Sequence, residues 1–73
     1  MEMPMDERYI TGVVNDCEQM VIYEDLMYRS VVGYAHEGDV VVIDLEDSTD
    51  RYYYVYTETS ICGYCNKRYI EVA

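Results

Sequence analysis

The chain has 73 residues, enough for one domain with a single hydrophobic core. Five basic residues stand against fifteen acidic ones, giving a formal net charge of −10. This balance argues against direct binding of nucleic acid and against docking on anionic lipid, since both need a Lys/Arg surface. It favours either attraction of a basic partner or simple solvation of the surface.

The N-terminal segment and the cysteines indicate where the protein works. Residues 1–8 are mostly polar, contain a proline and lack the basic-then-apolar order of a signal peptide. We expect a flexible lead over residues 1–8 and a folded domain over residues 9–73. No apolar run approaches the ~20 residues of a membrane span. Three cysteines fit free thiols in a reducing compartment better than a paired, secreted set. The sequence therefore predicts a cytoplasmic protein.

Extended stretches follow one another along the whole domain, rich in β-branched and aromatic residues and separated by turn residues. In chain order they are residues 9–15, 20–23, 30–35, 40–45, 52–56, 61–65 and 69–72. No stretch shows a helical period over ten residues. This pattern predicts an all-β fold, a small antiparallel barrel of five or six strands with very little helix.

The tyrosine-rich strand at residues 52–56 lies at the centre of this pattern. Alternation places Tyr53 and Val55 on one face and Tyr52, Tyr54 and Tyr56 on the other. An acidic hairpin loop, residues 46–50, precedes the strand. We expect one face of this strand to be buried and the other to be displayed.

Short motifs in order along about 60 residues resemble a bacterial Src-homology-3 (SH3b-like) domain. They are Gly12-Val13-Val14, Met20-Val21-Ile22-Tyr23, Ser30, Gly38-Asp39, Tyr52-Tyr53-Tyr54-Val55, Gly63-Tyr64-Cys65 and Tyr69-Ile70. The resemblance implies an SH3-like barrel and a binding role. Many family members sit in secreted wall enzymes and bind peptidoglycan peptides. Short stand-alone versions occur inside bacteria and in prophages, and this chain is more similar to those.

The chain departs from the family pattern on the face where such domains commonly hold ligands. Val21 and Tyr23 replace the usual Asn and Arg, Leu26 replaces the loop proline, and Tyr54 replaces the lysine of the central strand. Two basic positions have become tyrosine. If the first and last strands are neighbours, as in the family, Cys17 and Cys65 would lie close enough to pair under oxidation.

Catalytic and metal chemistry find little support in the sequence. Cys62 and Cys65 are three apart, so on a strand their sulfurs point to opposite faces, and a structural zinc would need Cys17 and His36 as well. We expect buried, reduced cysteines acting as small apolar residues. His36 is expected in an exposed turn. The paired carboxylates lack the spacing of a calcium loop. The sequence predicts no enzyme, no cofactor and no metal.

The tyrosines carry the functional hypothesis. We expect an aromatic groove with an acidic rim, which suits a basic, proline-containing peptide. Its residues are Tyr23, Tyr28, Tyr52, Tyr54 and Tyr69 in the groove, with Asp25, Glu46, Asp47 and Asp50 on the rim. Alternatively, the rings cover the core or form a homodimer contact, so the protein is a monomer or a homodimer.

Two functional classes follow from these features. The first is a non-catalytic intracellular module that binds a protein or a basic peptide. Its high negative charge suits an acidic decoy, encoded by a mobile element, that occupies a basic nucleic-acid-binding partner. The second is a cell-wall module that binds peptidoglycan and is separated from a wall enzyme. A third class is a self-associating assembly subunit, which would give a particle mass larger than that of the monomer.

Overall fold

The protein folds as a single antiparallel sheet, and the all-β prediction is confirmed. The computed structural model describes residues 8–73, so the predicted flexible lead lies outside the described residues except for Arg8. The strands are β1 (Tyr9–Val14), β2 (Gln19–Tyr23), β3 (Val31–His36), β4 (Val40–Asp44), β5 (Tyr52–Thr57), β6 (Cys62–Asn66) and β7 (Ile70–Val72). One 3-10 turn, Lys67–Tyr69, joins β6 to β7. Across residues 8–73, no helix has the length and apolar character to cross a membrane.

The seven strands lie in the order β3-β2-β6-β5-β4-β1-β7. Residues 8–73 thus form seven strands instead of the predicted five or six. The sheet is also not closed into a barrel, because β3 and β7 each pair with a single neighbour among the described residues. Two hydrogen bonds instead tie the β3–β4 turn to the end of β1, from the Gly38 amide to the Val14 carbonyl and from the Val14 amide to the Asp39 carbonyl, both 2.9 Å.

The inner face of the curved sheet holds the hydrophobic core. Its fully buried members are Val14, Met20, Ile22, Ala35, Val41, Ile43, Val55 and Cys65. They come from six strands, and each occupies alternate positions along its strand, as a half-buried sheet requires. Gly63 allows close packing here, since a Cβ at this position would overlap the Tyr23 carbonyl group and lie 2.9 Å from Cγ2 of Ile22.

The outer face carries the tyrosines that the alternation of β5 predicts. Val55 is completely buried in the core, and Tyr53 packs against its edge, whereas Tyr56 is 39% exposed on the opposite face. Strand register extends this face sideways, because Tyr54 lies opposite Tyr64 on β6, and Tyr64 lies opposite Tyr23 on β2. Residues directly opposite in an antiparallel pair point to the same side. The outer face is therefore aromatic across several strands.

Candidate binding surface

Six tyrosines on the outer face form two ring clusters, which together we call the tyrosine array. Its members are Tyr9, Tyr23, Tyr52, Tyr54, Tyr56 and Tyr64. Four rings form one cluster and two form the other, and the clusters lie side by side because Tyr23 is opposite Tyr64. The ring centroids are 6.4 Å apart for Tyr9 and Tyr56, 5.5 Å for Tyr54 and Tyr56, 4.9 Å for Tyr54 and Tyr64, and 6.5 Å for Tyr23 and Tyr52. The last three pairs meet edge to face, the arrangement that the ring quadrupole favours.

Ring faces on this protein already hold cations. The guanidinium carbon of Arg8 lies 5.2 Å from the Tyr9 ring centroid, at one end of the tyrosine array. Elsewhere, the Lys67 ammonium lies 4.8 Å from the centroid of the Tyr53 ring. Such contacts fall within the range of cation–π attraction. Since Tyr9 and Tyr56 remain more than a third exposed, the array also presents ring surface to an external cation.

The hydroxyl of Tyr54 lies beside the thiol of Cys62 at the middle of the array. A hydrogen bond between the two groups, together with burial of the ring, raises the pKa of Tyr54 to about 12. Burial, followed by the charge of nearby Asp44, also raises the pKa of Tyr56. Both side chains therefore stay neutral in ordinary buffers, and the centre of the array attracts cations through its rings and not through phenolate charge.

A groove beside the array brings together three of the predicted site residues. Tyr23 and Tyr52 border it with Tyr69, and its volume is about 280 Å³. The remaining lining residues are neutral: Cys17, Gln19, Val21 and Asn66. Tyr54 lies in the array but does not line the groove. Tyr28 stands in a loop and is 81% exposed.

The predicted acidic rim does not border this groove. The carboxylate of Asp25 accepts a hydrogen bond from the Tyr28 amide and so shapes its own loop. Glu46 and Asp47 each place a carboxylate oxygen 3.6 Å from the guanidinium of Arg8. Asp50 is exposed in the loop before β5. The four acids are thus distributed over loops, and two of them are partly neutralised.

An ion pair between buried Asp44 and half-buried Arg8 organises the loop that holds Glu46 and Asp47. Arg8 donates two hydrogen bonds to the Asp44 carboxylate, at 2.9 Å and 2.8 Å, and Asp44 has no solvent exposure. The Asp44 carboxylate also accepts a bond from the Glu46 amide at 3.1 Å. The hydroxyl of Ser48 donates to the Asp44 carbonyl and accepts from the Tyr54 amide. The acidic loop is therefore folded back onto the end of β4.

The Arg8 guanidinium holds the pKa of Asp44 below its usual value. The two side-chain hydrogen bonds from Arg8 are the largest cause, and they outweigh the opposing effect of burial. The same pairing raises the pKa of Arg8. Bidentate pairing of this kind is strong because both donors and both acceptors carry charge. The pair fixes the start of β1 beside the tyrosine array.

The cysteines occupy three different environments. All three are free thiols: Cys65 is buried, Cys17 is half-buried and Cys62 is exposed. The expectation of buried cysteines is therefore wrong for Cys62, because β6 alternation places it on the outer face. Burial raises the pKa of Cys65 to about 12, and nearby Cys17 adds to the effect. In the described part of the chain, no group of three or more His, Cys, Asp and Glu side chains could hold a metal ion.

The groove predicted from the sequence leaves out three members of the array, Tyr9, Tyr56 and Tyr64, although alternation does place Tyr56 on the displayed face. Tyr64 had a usable signal, since a hairpin joining residues 52–56 to residues 61–65 brings Tyr64 close to the displayed face of β5. Tyr56 shares a face with Tyr54 by alternation alone. Tyr9 joins them through β4, where it pairs with Asp44, which in turn pairs with Tyr54. That placement depends on strand order, which no local pattern encodes.

Comparisons of the chain with protein-family models, with curated proteins and with solved structures find no match. The similarity to bacterial Src-homology-3 domains thus rests on sequence motifs and stays a prediction.

Proposed function

We propose that the protein is a non-catalytic binding module that recognises a cationic segment of a partner protein through the tyrosine array. The observation that carries this proposal is the gathering of six tyrosine rings on the outer face, four in one cluster of contacting rings and two in a neighbouring pair. Tyrosine is favoured in interfaces because it supplies large contact area and a polar hydroxyl at low entropic cost. Four of the rings are half-buried by their neighbours, so they present a preorganised surface.

Charge selects the class of partner. With a net charge of −10, the protein attracts basic partners over long range and repels acidic ones. At short range, the neutral rings offer faces to Lys and Arg side chains, as Tyr9 does to Arg8. The combination suits an acidic decoy that covers the basic surface of a nucleic-acid-binding protein. A basic peptide that contains proline would meet the same rings.

An affinity pull-down from lysate of the source organism tests this function. Immobilised wild-type protein should retain a basic protein at about 50 mM salt and release it at about 500 mM, because screening weakens charge steering. Tyr56→Ala should weaken the purified complex roughly three- to thirty-fold, the range for loss of one cation–π contact. Tyr54→Phe, which keeps the ring and removes the hydroxyl, should bind nearly as well as wild type.

Tyr28→Ala is the matched control for the array variants. Tyr28 is 81% exposed and makes no ring contact with the array, so its loss should leave affinity unchanged. Equal weakening by Tyr28→Ala and Tyr56→Ala would contradict recognition through the array. Retention of the protein on intact wall sacculi, with no basic protein captured, would instead favour the peptidoglycan-binding alternative.

A further inference from the structure

A second concave surface lies at the open edge of the sheet, away from the tyrosine array. We call it the β3 cleft: it is bordered by residues 34–36 of β3, by Asp39 and Val40, and by residues 57–59 and Ile61 at the β5–β6 turn. Its volume is about 270 Å³, and no member of the tyrosine array lines it. This is room for a few residues of an extended chain.

The backbone of β3 presents hydrogen-bonding groups on this side. The His36 amide donates to the Asp39 carboxylate at 2.8 Å, and the His36 carbonyl accepts from the Asp39 amide at 2.9 Å. Both groups of His36 therefore point away from β2. Since residues two apart on a strand direct their backbone groups to the same side, the N–H and C=O of Tyr34 also face away from β2. No strand in residues 8–73 pairs with β3 on that side.

The cleft combines an apolar lining with negative charge. Tyr34 and Val40 are 47% and 42% exposed, and Ile61 lies beside them. Asp39 and Glu58 supply carboxylates, while Lys and Arg do not occur among the lining residues. The Glu58 carboxylate has no ion-pair partner within the described part of the chain. An extended strand with alternating apolar and basic side chains is complementary to this lining.

We propose that the β3 cleft binds an extended basic peptide, which adds to the sheet edge by pairing with the backbone of Tyr34. Addition of a strand to an open edge is an established mode of peptide recognition, in which the backbone supplies affinity and the side chains supply selectivity. Here Asp39 and Glu58 select Lys or Arg, and the apolar surface of Tyr34, Val40 and Ile61 accommodates the intervening residue. The site is separate from the tyrosine array.

Amide NMR with a defined probe tests the proposal. The probe is the acetylated, amidated pentapeptide Val-Lys-Val-Arg-Val, titrated into the ¹⁵N-labelled protein. Chemical-shift changes should concentrate at residues 34–36 and 57–61, and hydrogen exchange of the Tyr34 amide should slow. The same peptide methylated on its central amide nitrogen should bind roughly two- to ten-fold more weakly, since it cannot donate to the Tyr34 carbonyl.

A protein variant tests the charge component independently. Glu58→Gln should weaken the pentapeptide about two- to five-fold, the range for loss of one exposed charge pair. Glu24→Gln makes the same change of net charge at an exposed position outside the cleft and should have a smaller effect.

Three outcomes would overturn the proposal that the β3 cleft binds a basic peptide. They are shifts confined to the tyrosine array, equal affinity for the methylated peptide, and no shifts with the pentapeptide at millimolar concentration. The first outcome would leave the proposed function in place, since it would show a cationic segment bound at the array. In the opposite case, the pentapeptide binds at the β3 cleft and the captured partner causes no shifts in the tyrosine array. That result would leave the β3 cleft in place and contradict the proposed function.

Discussion

At the scale of single residues, Asp44 combines complete burial with full charge. Its carboxylate is satisfied by two bonds from Arg8 and by the amide of Glu46, so its burial leaves no oxygen without a donor. Removing one partner from such a pair is costly, because the other charge loses its compensation. The pair also joins the start of β1 to the end of β4, positions 36 residues apart.

We predict that Asp44→Asn lowers the melting temperature well beyond the effect of Asp50→Asn. An Asn amide presents hydrogens to a guanidinium that has only donors, so one of the two bonds is lost and a repulsive contact replaces it. Thermal unfolding followed by circular dichroism measures both variants. Asp50→Asn makes the same change of net charge at an exposed position and should stay within about 0.5 kcal/mol of wild type. Equal melting temperatures would show that the pair does not stabilise the fold.

The same substitution carries a pH signature. The folded-state pKa of Asp44 lies below the value in the unfolded chain, which is about 3.9. The contribution of this carboxylate is therefore complete above about pH 4 and is lost as the pH falls through the lower, folded pKa. Urea unfolding between pH 2 and 6 should show the difference between wild type and Asp44→Asn shrinking towards acid. A difference that stays constant over this range would contradict the lowered pKa.

At the scale of elements, the β5–β6 turn combines good hydrogen bonding with an unfavourable backbone angle. The hydroxyl of Thr57 donates to the Ile61 carbonyl and accepts from the Ile61 amide, which closes the hairpin. Ser60, however, has φ of 67°, in the left-handed region where a Cβ is disfavoured.

We predict that Ser60→Gly stabilises the protein by up to about 1 kcal/mol, because glycine adopts this angle without steric cost. In a domain of this size the gain corresponds to a rise in melting temperature of roughly 4–8 °C. Ser60→Ala is the matched control, since it removes the hydroxyl and keeps the Cβ. A similar rise in both variants would assign the effect to the hydroxyl and not to the backbone.

The elements themselves were largely predictable from local sequence. The sequence predicts strands at residues 40–45 and 52–56, and the structure has Val40–Asp44 and Tyr52–Thr57. Such runs of β-branched and aromatic residues suit a pleated, half-buried surface, and turn residues bound them on both sides. Strand pairing needed more than local pattern. Which two strands would remain at the edges depends on contacts between distant parts of the chain.

The candidate site was less predictable for the same reason. Alternation within residues 52–56 predicts that Tyr52 and Tyr54 share the displayed face, and the predicted groove adds Tyr23. The structure places all three in the tyrosine array. The acidic rim depended on where the loop at residues 46–50 would lie. Arg8, expected in a flexible lead, pairs with Asp44 and draws Glu46 towards it. A long-range ion pair of this kind leaves no signal in sequence spacing.

At the scale of the whole molecule, fifteen acidic residues repel one another on a small surface. We predict that the melting temperature rises between about 10 and 300 mM NaCl, because added salt shortens the range of this repulsion. Differential scanning calorimetry gives the dependence. Glu24→Lys reduces the negative charge by two at an exposed position and should make the melting temperature depend less on salt concentration. A falling melting temperature would mean that attractive pairs, such as Arg8 with Asp44, outweigh the repulsion.

The pairing of β1 with β7 has a consequence for how the chain folds. Val14 lies opposite Ile70 and Gly12 opposite Val72, so this pair closes a loop of more than fifty residues. By contrast, β4–β5 and β5–β6 are hairpins between consecutive strands. Closing such a loop costs conformational entropy before the contacts that stabilise it can form. Sheets rich in distant pairings therefore fold in milliseconds to seconds. The β4–β5–β6 meander is therefore expected to form first, with β7 docking late and substitutions in β7 acting mainly on the unfolding rate.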